Sequence, residues 1–202
     1  MTPARSRSTR APVMIRPDRG GWWAMIMLLG FLAVGLAALL FSYFHLLINA
    51  EQWPPQGVET PRFVAAAWGG GAMLAATLAV YAGVVQGVRG RRARLKIGLA
   101  AGFVLGIAAL VVSLLDLGHV PFTAQTNVYG SLFFALAGYI AVLLMAGLVM
   151  LALVQFWVWL GFFGPSESIA LVNVTLYLAF VAAAWIPVFA SLYLAPYVLG
   201  GA

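Results

Sequence analysis

Two histidines and five carboxylates are all that 202 residues offer to acid–base or metal chemistry, since the chain contains no cysteine. A haem or redox metal held by the protein needs several ligands, usually His or Cys, converging on one point. His45 lies about a turn from the end of one apolar segment and His119 falls in the loop beyond another, so no histidine pair can form inside a membrane. Both read as polar side chains at an interface, and no metal or cofactor site is expected in this chain. Of the acids, Asp18, Glu51, Glu59 and Glu167 fall in loops or the tail, and Asp116 alone approaches an apolar core. A charge at a bilayer centre costs about 2.5–3.5 kcal/mol even on the lenient insertion scale, so such acids often mark function. Asp116, however, lies near the end of its segment, where water or a loop amide can solvate it. A capping or loop-fixing role is therefore favoured over proton transfer. There is no phosphate loop, no Gly-x-Ser-x-Gly elbow and no paired acid, so catalysis by this chain alone has no motif to rest on.

These few polar groups must be positioned by a membrane bundle. The chain is 64% hydrophobic and 8% charged, with a mean hydropathy of +1.01, against about 25% charged residues in an average soluble domain. Apolar runs at 21–48, 63–88, 95–115, 129–163 and 169–198 each reach the ~20 residues a helix needs to cross hydrocarbon. Period-2 alternation is absent, and lipid offers the backbone no hydrogen-bond partners, so helices and not barrel strands must span. The expected fold is all-α, an integral membrane bundle of five transmembrane helices over 21–202, preceded by a basic tail over 1–20. The run 21–48 far exceeds the ~7–15 apolar residues of a secretory signal and reads as a retained first helix. Ten of the eleven basic residues lie in 5–19 and 89–96, which flank spans. The net charge therefore reflects topology and not nucleic-acid binding: the N-terminus is cytoplasmic and the C-terminus outside.

Small residues mark the packing faces. The second run carries Gly71, Ala75, Ala79, Gly83 and Gly87, and the third answers with Gly98, Gly102 and Gly106. Such spacing lets helices approach closely where hydrophobicity cannot drive association. The short loop "RGRRARLK" makes these two helices a tight antiparallel hairpin, and its Arg89, Arg91, Arg92 and Arg94, with Trp159, are the side chains expected nearest phospholipid headgroups on the inner side. Gln155, Trp157 and Trp159 mark the inner boundary of the fourth helix, and Pro187 should kink the fifth. On the outer side, Pro121-Phe122-Thr123 ends the link between helices three and four, Asn127 can cap the fourth helix, and Tyr129 anchors it at the interface. This would hold Asp116 and His119 in place. If the carboxylate accepts hydrogen bonds from loop amides or pairs with His119, it is a structural latch.

The stretch "DLGHVPFTAQTNVYGSLFFALAGY" resembles the segment of cytochrome c oxidase subunit III in which a Glu precedes a Pro-Phe-Thr turn and a Tyr-Gly-Ser-x-Phe-Phe helix start. The loop "QWPP" followed by Gly57 is similar to that family's Trp-Pro-Pro outer loop, and "FSYFHLL" to the aromatic exit of the preceding helix. In the last helix Tyr177, Phe180, Val181 and Trp185 match the family's Tyr-Trp-His-Phe-Val-Asp-x-x-Trp signature. The resemblance runs from about Gly21 to Tyr197 and corresponds to the five-helix form lacking the two N-terminal helices of longer members. Departures are equally plain: the family's embedded Glu falls near Phe31-Leu32, its paired His at Ile140 and Leu143, and the His and Asp of the last signature at Ala179 and Ala182. Asp116 is the shorter counterpart of the Glu before Pro-Phe-Thr.

The resemblance implies a non-catalytic subunit III of a respiratory haem-copper oxidase in a bacterial inner membrane. It would pack in a hetero-oligomeric complex against the catalytic subunit I that carries haem and copper, stabilise it, and hold phospholipids. The electron donor, cytochrome c or quinol, belongs to other subunits. Two alternatives stay open. One is a small transporter or channel subunit built around Asp116, Gln86 and Asn173, although no inverted repeat is visible. The other is an oxidase assembly factor, which loss of the family's polar residues fits equally well.

Overall fold

Long helices follow one another with little between them: α1 Arg19–Asn49, α2 Phe63–Val88, α3 Arg92–Gly118, α4 Val128–Trp159 and α5 Pro165–Phe189, the last running into a π-helical turn at Ala190–Leu194. This computed structural model describes residues 19–50, 53, 63–161 and 165–195, without the side chains of 19 and 165–168. The tail, Glu51, Pro54-Pro55, Gly57, Glu59, Arg62 and the side chain of Glu167 lie outside the described residues. Among the described residues there is no strand, and five helices are long and apolar enough to cross a membrane. Even α5, with 25 residues, exceeds a ~30 Å hydrocarbon core at 1.5 Å per residue.

The ends are set by local chemistry. Gly90 and Gly161 have φ of 77° and 83°, the left-handed region that favours glycine. Gly90 turns α2 into α3 and Gly161 stops α4 short of the expected 163. Helix α3 begins at Arg92, earlier than the apolar run suggests, because long basic side chains at a helix end reach back to the interface. Asn127 caps α4, its Oδ1 accepting from the Gly130 N–H at 2.7 Å. Asn127→Ala should therefore lower stability by about 1 kcal/mol, read as a lower thermal midpoint with helix content retained. Pro187 cannot donate to the helix ladder. One turn later α5 leaves α register for π register, and the Ser191 hydroxyl donates back to the Pro187 carbonyl at 2.8 Å.

Helices α2 and α3 form the closest pair. A Cβ at Gly98 would lie 2.5 Å from Gly83 Cα and 2.8 Å from the Ala79 carbonyl, and one at Gly102 would collide with Val80. Gly106 instead faces α4, where a Cβ would meet Leu148 Cδ2 at 2.6 Å. The small-residue stripe of α2 follows a different line from a strict four-residue spacing. Gly71 is exposed with open space beside it, while Ala66, Gly69, Gly70, Met73, Ala76, Val80, Gly83 and Gly87 are buried. Four residues overshoot a turn by about 40°, so a row that faces α3 at Gly83 has rotated away by Gly71.

Helix α4 is the central element and joins all three apolar clusters, through Phe133 and Ile140 at one end, Leu143 and Leu148 in the middle, and Leu151 and Val158 at the other. Helix α1 docks mainly on α4 and α5. The bundle thus has a basic end, at the α2–α3 turn, and an aromatic end, at the α3–α4 link.

Candidate functional site

The aromatic end holds the polar contacts that cross between helices there. Asp116, two residues from its helix end, accepts a hydrogen bond at Oδ2 from the Tyr193 hydroxyl at 2.6 Å. Tyr193 is buried in the π-turn of α5. Two residues earlier, the Ser191 carbonyl accepts from the Tyr43 hydroxyl of α1 at 2.6 Å, and the Trp53 indole N–H donates to that same Tyr43 oxygen at 3.1 Å. Backbone in π register thus offers α5 to α1 through a carbonyl and to α3 through a phenol, within three residues.

Rings enclose these bonds. Trp53 packs edge-on to Tyr43 and Tyr129, Phe122 to Tyr129 and Phe133, and Phe133 to Tyr193, with centroids 5.3–5.8 Å apart. Aromatic pairs of this kind contribute about 0.5–1.5 kcal/mol each beyond area burial.

The Pro-Phe-Thr turn has a definite job in this arrangement. Phe122 is buried as the turn's anchor. The Thr123 N–H donates to Thr126 Oγ1 at 3.1 Å, the two threonine hydroxyls meet at 2.9 Å, and the Ser131 hydroxyl donates to the Ala124 carbonyl at 2.5 Å. A Cβ at Gly130 would come within 2.5 Å of the Thr123 carbonyl, so the Gly of Tyr-Gly-Ser lets the turn fold down onto the start of α4. His119 is exposed, with Nδ1 2.6 Å from the Leu115 carbonyl. The Asp116 carboxylate thus takes its hydrogen bond from Tyr193, a partner not expected from sequence. Tyr43, Ser191 and Tyr193 escaped the sequence reading. The only available signal was tyrosines inside otherwise apolar helices, whose hydroxyls need partners.

The other residues singled out from sequence lie elsewhere. Arg89, Arg91, Arg92 and Arg94 are exposed at the basic end, where the Gln86 amide oxygen accepts from Arg91 at 3.1 Å and Arg94 at 3.5 Å. Trp159 is 60% exposed across the bundle on α4. Near the arginine turn, an apolar cavity of about 480 Å³ is lined by Trp22 of α1, Val84, Gly87 and Val88 of α2, and Ile169 and Leu171 of α5. Asn173 donates to the Gly21 carbonyl at 3.2 Å.

Ile140, Leu143 and Ala182 are buried in apolar surroundings, while Phe31 and Ala179 are exposed. Among the described residues no three His, Cys, Asp or Glu side chains gather in a way that could hold a metal ion. Chemically, the arrangement at the aromatic end can clamp helices; it presents no nucleophile–base pair.

A family model described as cytochrome c oxidase subunit III matches residues 18–197. No curated protein matches the chain.

Proposed function

The chain belongs to the cytochrome c oxidase subunit III family, and we propose that it is a non-catalytic structural subunit of a haem-copper terminal oxidase. In this reading it stabilises catalytic subunit I, which carries the haem and copper, within a hetero-oligomeric complex of the bacterial inner membrane, and it binds no cofactor itself. The basic end faces the cytoplasm by the positive-inside rule, with the N-terminus inside and the C-terminus outside.

The observation that carries this reading over transport is where the buried hydroxyls go. Tyr43 donates to Ser191, Tyr139 to the Leu32 carbonyl at 2.8 Å, Tyr177 to the Leu143 carbonyl at 3.1 Å and Tyr193 to Asp116. Each of these bonds stitches one helix to another, where a transport path would direct such groups toward a passage. The polar side chains of Gln86 and Asn173, which a transport path could also use, are likewise engaged, with Arg91 and with Gly21. Phospholipid holding fits the basic end: an acyl chain suits the cavity beside Gly87 and Val88, and Arg89, Arg91, Arg92, Arg94 and Trp159 offer a phosphate cations and an interfacial indole.

Purification of the tagged chain in mild detergent, followed by a native gel stained for haem, tests the reading. Co-migration with haem-bearing subunits is the expected result, with phospholipid phosphates found against at least one of those five side chains. A colourless homo-oligomer would sink the oxidase reading and favour transport. Capture of a haem-free catalytic subunit alone would point to assembly, the role that the apolar residues at Ile140, Leu143, Ala179 and Ala182 also fit.

A further inference from the structure

Behind the Asp116–Tyr193 bond lies a small cavity of about 20 Å³, bounded by Ala66 of α2, Ser113 and Asp116 of α3, Ile140 of α4, and Trp185 and Tyr193 of α5. Its lining carries an unusual polar balance for the interior of a membrane bundle. Tyr193 takes one carboxylate oxygen, Oδ2, which leaves Oδ1 open to a second donor. The hydroxyl proton of Ser113 goes to the Ala109 carbonyl at 2.8 Å, so the lone pairs of Oγ remain as acceptors. The indole N–H of Trp185 finds no acceptor among the described residues.

That indole lies against α2. A Cβ at Gly70 would collide with Trp185 Nε1, and a Cβ at the neighbouring Gly69 would approach Ser113 Oγ to 3.3 Å. The paired glycines of α2 therefore receive the indole nitrogen and the hydroxyl side by side. An indole with an unused donor thus shares the lining of one cavity with a carboxylate and a hydroxyl that have acceptor capacity to spare.

We propose that this cavity is a hydration site for one water, which accepts from Trp185 Nε1–H and donates to Asp116 Oδ1 and Ser113 Oγ. The size is right: a water needs about 10–15 Å³ of such volume and two to four polar partners, whereas apolar cavities stay dry. A cation is disfavoured, because hard cations require six or more oxygen ligands and the polar side chains of this lining are one carboxylate, two hydroxyls and an indole. The bridge gives Asp116 a second hold on α5. Tyr193 grips the carboxylate beyond Pro187 and Trp185 grips it, through water, before Pro187, so the break in the helix ladder is spanned from α3. The inference stands apart from the oxidase reading, since it concerns contacts within this chain.

Two measurements on the purified full-length protein, in whatever complex it forms, decide the matter. A density map fine enough to reveal other buried waters should contain one in the cavity, at about 2.7–3.2 Å from Trp185 Nε1 and from the Asp116 carboxylate. An empty cavity in such a map overturns the proposal without any variant. The ultraviolet resonance Raman difference between wild type and Trp185→Phe isolates the indole N–H band of this one tryptophan. A hydrogen-bonded band position is expected, and the position of a free N–H would overturn the bridge.

Discussion

Gly98→Leu should prevent stable assembly of this protein. The first carbon of any side chain at residue 98 would sit 2.5 Å from Gly83 Cα and 2.8 Å from the Ala79 carbonyl, and both obstacles are backbone. No rotamer change relieves the contact, so α2 and α3 must part, and dispersion along the whole hairpin weakens with them. Overpacking typically costs about 1–3 kcal/mol, and a clash against backbone belongs at the top of that range or above it. Gly102→Leu should be milder, because its nearest obstacle is the Val80 side chain. Gly71→Leu, with open space beside it, is the control and should assemble like wild type. Yield on a native gel and thermal midpoint report all three. A Gly98→Leu protein with normal yield and midpoint would mean that the α2–α3 contact is wrongly placed.

Tyr193→Phe should destabilise more than Asp116→Asn, although both touch one hydrogen bond. Removing the phenol hydroxyl leaves a half-buried carboxylate without its 2.6 Å donor. The asymmetry of buried hydrogen bonds makes such an orphaned acceptor costlier than the mean bond, about 1–3 kcal/mol and more for charged groups. Asp116→Asn keeps an amide oxygen for Tyr193 and should lose about 0.6–1.7 kcal/mol, the scale of interhelical bonds in membranes. A loss of about 2 kcal/mol for Tyr193→Phe is a factor of roughly 30 in the folded ratio, visible as loss of subunit during detergent challenge. Turnover per intact complex should stay within about two-fold in both variants. A fall in turnover of fully assembled complex, together with a shifted pH profile, would overturn the latch and assign Asp116 to proton handling.

The helices were legible because lipid demands long apolar segments: the run 63–88 coincides with α2 as observed. Where observed ends moved, the cause was local, as with Gly161 closing α4 and the basic first turn of α3. The cap at Asn127 and the turn anchored by Phe122 were legible too, since both depend on neighbours in sequence. Asp116 stood out as the one acid near hydrocarbon, but its partner lies 77 residues away beyond Pro187. A reading at about 100° per residue loses its phase in the π-turn and cannot say which way Tyr193 points. Long-range hydroxyl-to-carbonyl bonds such as Tyr43 to Ser191 leave no mark in spacing at all.

The position of α1 has a consequence for the order of events during synthesis. Its polar ties reach Tyr139 of α4, and Asn173 and Ser191 of α5, so α1 finds its partners in two helices made well after it. The α2–α3 hairpin can close as soon as both its arms exist. Helix α1 must wait in the bilayer while more than a hundred further residues emerge, on the order of ten seconds at the usual pace of translation. A chain interrupted before α4 would carry a finished hairpin and an unattached α1, and one interrupted before the π-turn would still lack the acceptor of the Tyr43 hydroxyl. Docking of α1 thus registers that α4 and α5 have emerged, and a copy interrupted before them presents the membrane's proteases with a loose helix.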